Sequence, residues 1–358
     1  MLDQSLDSVT NMDNDKNNFL ASISEMIAST PENISDMKKR ARDEVFVLPN
    51  IALAGQLTII NAAYSTGKTL LAMWLLSQRD KAATEGFRFF YINADDDFNG
   101  GIIKSELLEL HHVHALIPNE RGFDVSKFTW MINQAIETKA ANQMVFILDT
   151  MKKFVNMMDK GSARDFTDLL RRFSQAGGSV IALAHTNKHK GSDGMSVAEG
   201  VGDFLSDFDC GYIADIATED NQQKTVVFRN DKTRGTNARE VTFTYCNQEG
   251  CSWSDRFDSV TKQSGGDAKR LLAEAENREQ HERDLPTIRY IEARLSTGKV
   301  SRANIERLDL GDGKPSKNER TRVLNKYNQS NSDPDLRHWV TSSGIKGGEE
   351  YSIGGLVS

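Results

Sequence analysis

Gln56-Leu57-Thr58-Ile59-Ile60-Asn61, then Ala62-Ala63-Tyr64-Ser65-Thr66-Gly67-Lys68-Thr69, then Leu70-Leu71-Ala72-Met73-Trp74-Leu75-Leu76-Ser77-Gln78, is the stretch on which the fold turns. The first run is short and apolar, as a strand buried on both faces must be, and residues 69–78 read as a helix. The eight residues between them have the spacing of a Walker A loop, with Ala62 standing where that pattern has its first glycine. Backbone N–H groups of such a loop, Ala62 to Thr69, form a nest for phosphate oxygens at the N-terminus of a helix. Lys68 is expected to reach the β- and γ-phosphates and the Thr69 hydroxyl to bind Mg²⁺. Gly67 removes the Cβ that would stand between backbone and phosphate.

Further along, the same alternation recurs. FRFFYIN (87–93), MVFILD (144–149), SVIALAH (179–185) and CGYIADI (210–216) read as strands. GIIKSELLEL (101–110), SKFTWMINQAIETK (126–139) and DFTDLLRRFSQ (165–175) read as the helices between them. That order implies an α/β fold with a mainly parallel sheet and crossover helices. TVVFRN (225–230) and REVTFTY (239–245) read as a hairpin added at the sheet edge. Asp149 ends an apolar strand, where a Walker B carboxylate holds Mg²⁺; taken with the upstream loop it specifies a P-loop NTPase. Asp95 and Asp96 follow the strand ending at Asn93, and a carboxylate there can orient or deprotonate an attacking water. His185 ends the next strand on the edge where open α/β sheets bind ligands. Lys232 and Arg234 lie in the hairpin link, where cations can project into a neighbouring subunit's site.

In that order, GQLTIINAAYSTGKT, FYINADDD, FILDT, ALAHTNK and DKTRG resemble the RecA-fold ATPases of the RepA-type and DnaB-like hexameric replicative helicases, over about residues 45–245. The resemblance implies a RecA-like core, a homo-oligomeric ring, usually a hexamer, and ATP held at subunit interfaces. By position it makes Asp95 the catalytic carboxylate, His185 part of a sensor motif, and Lys232 and Arg234 fingers acting in trans. Two departures stand out: Asp95 is one methylene shorter than the family's glutamate, and the family's paired histidines are here Ala184-His185. The resemblance also places the segments after the Walker B and sensor strands in a central channel. Lys152, Lys153, Lys160, Arg164, Lys188 and Lys190 would there contact single-stranded DNA.

The flanks differ in charge. Of 358 residues with a net charge of -7, the first 45 hold nine acids against five bases. They form an acidic arm with a short amphipathic stretch at Phe19, Leu20, Ile23 and Ile27. The core is expected over 46–262, with a break at KQSGGD (262–267). Residues 263–358 are expected to hold a charged linker helix near AKRLLAEAENREQHERD and a compact unit from Pro286. Helices at Thr287–Leu295, Arg302–Leu308 and Ser316–Tyr327, followed by the strand-like HWVTSS, read there as a winged helix-turn-helix module. From Arg289 to Lys326 ten bases face five acids, so Lys317, Arg320 and Arg322 are candidate contacts to duplex DNA, with a replication protein as the other partner. Three cysteines without metal-ligand spacing, no signal-like N-terminus and no long apolar run point to the cytoplasm and away from a membrane. An acidic total excludes a protein that coats nucleic acid, but not one that threads it. The expected function is an ATP-hydrolysing DNA helicase or translocase of plasmid, phage or mobile-element replication. A recombinase-like or loader ATPase without unwinding, and an ATP-switched initiator or regulator, are the rival readings.

Overall fold

The structure is a computed structural model, described over residues 30–32, 34–35, 44–186, 206–307, 315–331, 336–343 and 348–353. The amphipathic stretch Phe19–Ile27, Lys188 and Lys190 lie outside these residues. Phe46–Leu48 (β1) and Ala52–Leu53 (β2) form a small antiparallel pair. The main sheet begins with Leu57–Ala62 (β3), which is buried throughout. Lys68–Ser77 (α1), Arg88–Asn93 (β4), Phe98–Leu110 (α2), Val113–Leu116 (β5), Lys127–Glu137 (α3), Met144–Asp149 (β6), Lys160–Gln175 (α4) and Ser179–His185 (β7) follow. Cys210–Glu219 (β8), Gln223–Lys232 (β9), Glu240–Cys246 (β10), Trp253–Asp258 (α5) and Thr261–Lys262 (β11) complete it.

The strand order is β11-β10-β9-β8-β3-β7-β6-β4-β5. The run β8-β3-β7-β6-β4-β5 is parallel, and β9 to β11 extend it on one edge. The protein therefore has a mixed, mainly parallel nine-stranded sheet flanked by helices.

Period-two alternation divides the core into two layers. Ile60 and Ala62 on β3, Val145 and Ile147 on β6, and Ile181 and Leu183 on β7 face the layer that holds α1. Leu57 and Ile59, Phe146 and Leu148, and Val180, Ala182 and Ala184 face the layer of α3 and α4. There Phe128, Phe146 and Phe173 form a contiguous aromatic cluster. Each such ring, fully buried, stabilises the fold by ~2–3 kcal/mol. The same alternation decides which side chains at the strand ends look toward α1.

Several boundaries differ from the sequence reading. Strand β5 was not expected: it is four residues long and polar at His114, too short to show a period. Helix α2 starts at Phe98 because Asp97 caps it, accepting from the Gly100 N–H at 2.8 Å. Helix α4 starts at Lys160, five residues before the expected start, because Asp159 caps it. Lys160 and Arg164 consequently lie in the first turns of a helix, not in a loop. Strand β9 runs on to Lys232, so that residue closes a strand.

The chain divides into two compact units: the described residues of Met1–Ile216 with Val226–Thr261, and those of Ala217–Thr225 with Lys262–Ser358. In the second, one helix spans Gly265–Leu295 (α6) with Pro286 inside it, where the sequence reading places a boundary at that proline. Proline costs about 3 kcal/mol in a helix interior. Burial of Ile288, Ile291 and Leu295 just beyond it offsets that loss. Then come Val300–Ser301 (β12), Arg302–Glu306 (α7), Lys317–Lys326 (α8), Trp339–Ser343 (β13) and Glu349–Ile353 (β14). The strands form an antiparallel sheet in the order β12-β14-β13. Ser316 and Glu319 form a capping box at the start of α8. No described helix is long and apolar enough to cross a membrane.

The basic side chains of α8 do not all face outward. Arg320 is 1% exposed, donates to the carbonyls of Pro315 (2.7 Å) and Glu306 (3.1 Å), and lies over the Tyr290 ring. A guanidinium enclosed in this way is a structural clamp, which corrects its assignment as a DNA contact. Arg322 pairs with the buried Asp284 at 2.5 Å. Lys317 stays exposed, 4.0 Å from Glu306. Arg320→Met is expected to destabilise this unit by about 2–3 kcal/mol, since two half-buried carbonyls lose a charged donor. Thermal unfolding of the full chain measures this, and an unchanged transition would contradict the clamp.

Candidate functional site at the carboxyl edge of the sheet

The site forms where β3, β4, β6 and β7 end. Ala62 pairs with His185, and Asn93 with Asp149, so these residues lie along one edge. By the alternation above, Tyr91, Asp149 and His185 project on the α1 side. Between β3 and α1 the loop turns through Ser65 at φ 60° and Gly67 at φ 87°, the second of these being the residue that caps α1. Glycine is required at 67 twice over. A Cβ would adopt a left-handed backbone and would lie 2.5 Å from the Tyr245 hydroxyl oxygen. That hydroxyl donates to the Thr66 carbonyl at 3.0 Å, so the end of β10 braces the loop from below.

Thr69, in the first turn of α1, donates to Asp149 Oδ2 at 2.7 Å. Tyr91 donates to the same oxygen at 2.7 Å. Burial, then the Asp149 carboxylate, pushes the Tyr91 phenol well above its ordinary value, so it stays a proton donor. Asp149 is 2% exposed. Thr150 follows through a cis peptide, and its hydroxyl donates to the Leu183 carbonyl at 2.8 Å, tying β6 to β7. Sequence reading missed Tyr91, whose place opposite Ile147 depends on the β4–β6 register. It also missed Tyr245, which nothing in its local sequence distinguishes.

The three acids after β4 separate by role. Asp97 is the cap of α2. Asp96 accepts from Asn93 Nδ2 at 2.8 Å and pairs with Lys104. Asp95 is one-third exposed and lies 3.8 Å from Lys152 Nζ. Lys152 also lies 3.4 Å from the Tyr64 hydroxyl and 5.5 Å from the centre of its ring. The turn Met151–Lys153 thus carries Lys152 to the loop, while Lys153 is exposed.

His185 is 2% exposed and stacks on Tyr64, ring centres 4.1 Å apart. Neither ring nitrogen has a hydrogen-bond partner among the described residues, and the buried Thr66 hydroxyl has none there either. Burial, then the Lys68 and Lys152 ammoniums, lowers the imidazole to about 4, with Asp95 opposing. Its folded value lies below the unfolded 6.5. The fold therefore prefers the neutral ring. That preference is fully expressed above pH 6.5 and lost as pH falls toward 4. His185→Phe keeps the stack and removes the titration. Urea midpoints taken between about pH 7 and pH 4 should fall more steeply for the parent than for the variant. Parallel curves would remove His185 from this account.

Lys232 and Arg234 stand at the opposite edge. Arg234 bonds Asp209 Oδ1 at 3.1 Å, and Arg171 bonds the same carboxylate at 2.8 Å. Asp209 precedes β8 and accepts from the Leu57 N–H at 3.0 Å, at the amino end of β3. Lys232 donates to the Ser206 carbonyl; burial, then Arg234, lowers its amine. An apolar cleft of about 450 Å³, lined by Phe98, Ile102 and Phe123, lies against edge strand β5. It shares no residue with either cluster. No protein-family model matches the chain, and no curated protein matches it.

Proposed function

We propose that the protein is a ring-forming P-loop ATPase with a RecA-like core that moves along single-stranded DNA and unwinds duplex. The observation that carries this reading is the Thr69–Asp149 hydrogen bond of 2.7 Å, beneath a loop whose backbone turns through left-handed Gly67. It joins the hydroxyl and the carboxylate that a nucleotide-bound Mg²⁺ requires on its protein side. Mg²⁺ takes few ligands from protein and the rest from phosphates and water, so this pair fits it. Bound there, the ion would neutralise charge on the phosphates.

The chain's own groups supply the rest. The loop N–H groups and Lys68 bind the phosphates, and Tyr91 holds Asp149 in place. Asp95 orients the attacking water, with Asp96 set back on Lys104 as a supporting carboxylate. His185, neutral at physiological pH and with both ring nitrogens free of partners among the described residues, is suited to detect a terminal phosphate. Lys232 and Arg234, at the far edge of the sheet, complete a neighbour's site. Lys153, Lys160 and Arg164 remain exposed for a DNA backbone. Lys152 is better assigned to the nucleotide. The order of helices and strands from Thr287 to Ile353 supports a winged-helix-like module, with Lys317 and Arg322 the exposed ones among its candidate DNA contacts.

ATP turnover with and without single-stranded DNA, measured beside the native mass with ATP, tests the proposal. DNA-stimulated turnover by an oligomer is expected. No turnover would sink it and favour the rival assembly switch, for which the Lys152–Asp95 ion pair is the supporting observation.

A further inference from the structure

Four neighbouring strands, β3, β7, β6 and β4, each bring one side chain into a single row at their carboxyl ends. His185 closes β7, Tyr64 follows β3, Lys152 follows β6 and Asp95 follows β4. The Tyr64 ring lies on His185, ring centres 4.1 Å and planes 23° apart. Tyr64 is 63% exposed and His185 only 2%, so the phenol is the outer layer. Both imidazole nitrogens are buried and lack a hydrogen-bond partner among the described residues. A ring enclosed in this way cannot reach a phosphate oxygen where it stands. Lys152 Nζ lies 5.5 Å from the centre of the Tyr64 ring, 3.4 Å from its hydroxyl and 3.8 Å from Asp95 Oδ1.

We propose that Tyr64 is a gate on the candidate site: seated on His185 it screens the imidazole and keeps Lys152 beside Asp95, and a terminal phosphate in the loop draws it off. What opens the gate rests on the nucleotide reading; the cover over His185 does not. The seated arrangement is held by modest terms, a ring stack and a cation beside a ring. Two unsatisfied ring nitrogens oppose them by a similar amount. The contacts of Lys152 are long, and a phosphate oxygen offers its ammonium a shorter, charge-assisted bond. Once Lys152 turns to phosphate, Tyr64 loses its second contact and Asp95 loses its cation. Asp95 is then the better acceptor for a water proton, and an uncovered His185 gains a partner for a ring nitrogen. These gains arise only with phosphate present, which is the differential interaction that a ligand-driven shift requires. The loop permits the movement. Ala63 and Ser65, on either side of Tyr64, are exposed, and Ser65 holds a left-handed backbone (φ 60°) that few residues with a side chain adopt. Tyr64 is thus a positioning residue, acting through His185, Lys152 and Asp95.

Diethyl pyrocarbonate acylates neutral imidazole nitrogens that it can reach, and His185 is neutral near physiological pH. Applied to the full chain without nucleotide, and read by peptide mass spectrometry, it should modify His185 slowly. Tyr64→Ala should raise that rate by about tenfold or more, as the loss of local protection does. Tyr64→Phe, which keeps the ring, should restore the slow rate, and the other histidines should react alike in all three chains. Equal rates at His185 in the three chains overturn the cover. The gate is read in a chain labelled with fluorotyrosine, where the Tyr64 signal is the one that Tyr64→Phe removes. A non-hydrolysable ATP analogue should move that signal toward its position in His185→Ala, where there is no stack. ADP, which lacks the terminal phosphate, should move it less. A bound analogue with an unmoved Tyr64 signal overturns the gate and leaves the nucleotide reading standing. An equal shift with ADP overturns the assignment to the terminal phosphate. An analogue that does not bind overturns the nucleotide reading and the gating with it, while the acylation rates still decide the cover.

Discussion

Lys68→Ala is expected to lower ATP turnover by at least a hundredfold, or ~3 kcal/mol, while leaving the fold intact. The size follows from position. Lys68 opens α1 directly after the left-handed Gly67, so its ammonium stands where a chain of phosphates would meet the helix N-terminus. No ion pair or hydrogen bond holds that ammonium among the described residues, so alanine removes nothing the fold depends on. Alanine also carries the higher helix propensity. One further readout needs no nucleotide. Lys68 is the largest charge lowering the His185 imidazole, so its loss should raise that group from about 4 toward its ordinary 6.5. An NMR titration of His185 measures it. Full turnover in the variant would remove the phosphate-loop assignment. Lost turnover with an unmoved His185 would show that Lys68 lies farther from the end of β7 than the structure places it.

What sequence made legible, and what it hid, follows from the range of the interactions. The main strands and the loop were readable because each is a local pattern: an apolar run, a spacing of small residues and a following helical period. Asp149 was readable as a strand end. Thr69 was readable beside it through the loop motif, but Tyr91, which reaches Asp149 from 58 residues away, was not. Boundaries shifted where a single side chain decided them, as Asp97 and Asp159 do for α2 and α4. Charge misled most. Arg320 and Lys152 look alike in sequence as exposed bases, yet one is enclosed by carbonyls and an aromatic ring and the other turns back to Tyr64 in the loop before α1. Composition counts charges without saying which way they point. Pro286 misled in the opposite direction: a strong local breaker was overruled by the apolar residues that follow it.

Arg234→Ala is expected to leave ATP binding intact and to lower turnover by about a thousandfold, the range of a finger that neutralises transferring phosphate. The argument is one of distance. Arg234 is anchored on Asp209 at the amino end of β3, and Lys68 lies beyond its carboxyl end. A six-residue strand spans about 20 Å, too far for an arginine to reach its own loop. Arg234 can therefore act on phosphate only in another copy of the chain. Stability should hardly change: the Arg234 side chain is 57% exposed, and Asp209 keeps both Arg171 and the Leu57 N–H. Mixing the Arg234→Ala chain with the Lys68→Ala chain gives the decisive measurement. In a mixed assembly some interfaces pair an intact loop with an intact finger, so part of the turnover should return although neither chain hydrolyses ATP alone. Wild-type turnover in the single variant would make Arg234 a structural partner of Asp209 and nothing more. Two inactive variants that exchange subunits yet recover nothing would place the whole site within one chain, against the distance that separates its parts.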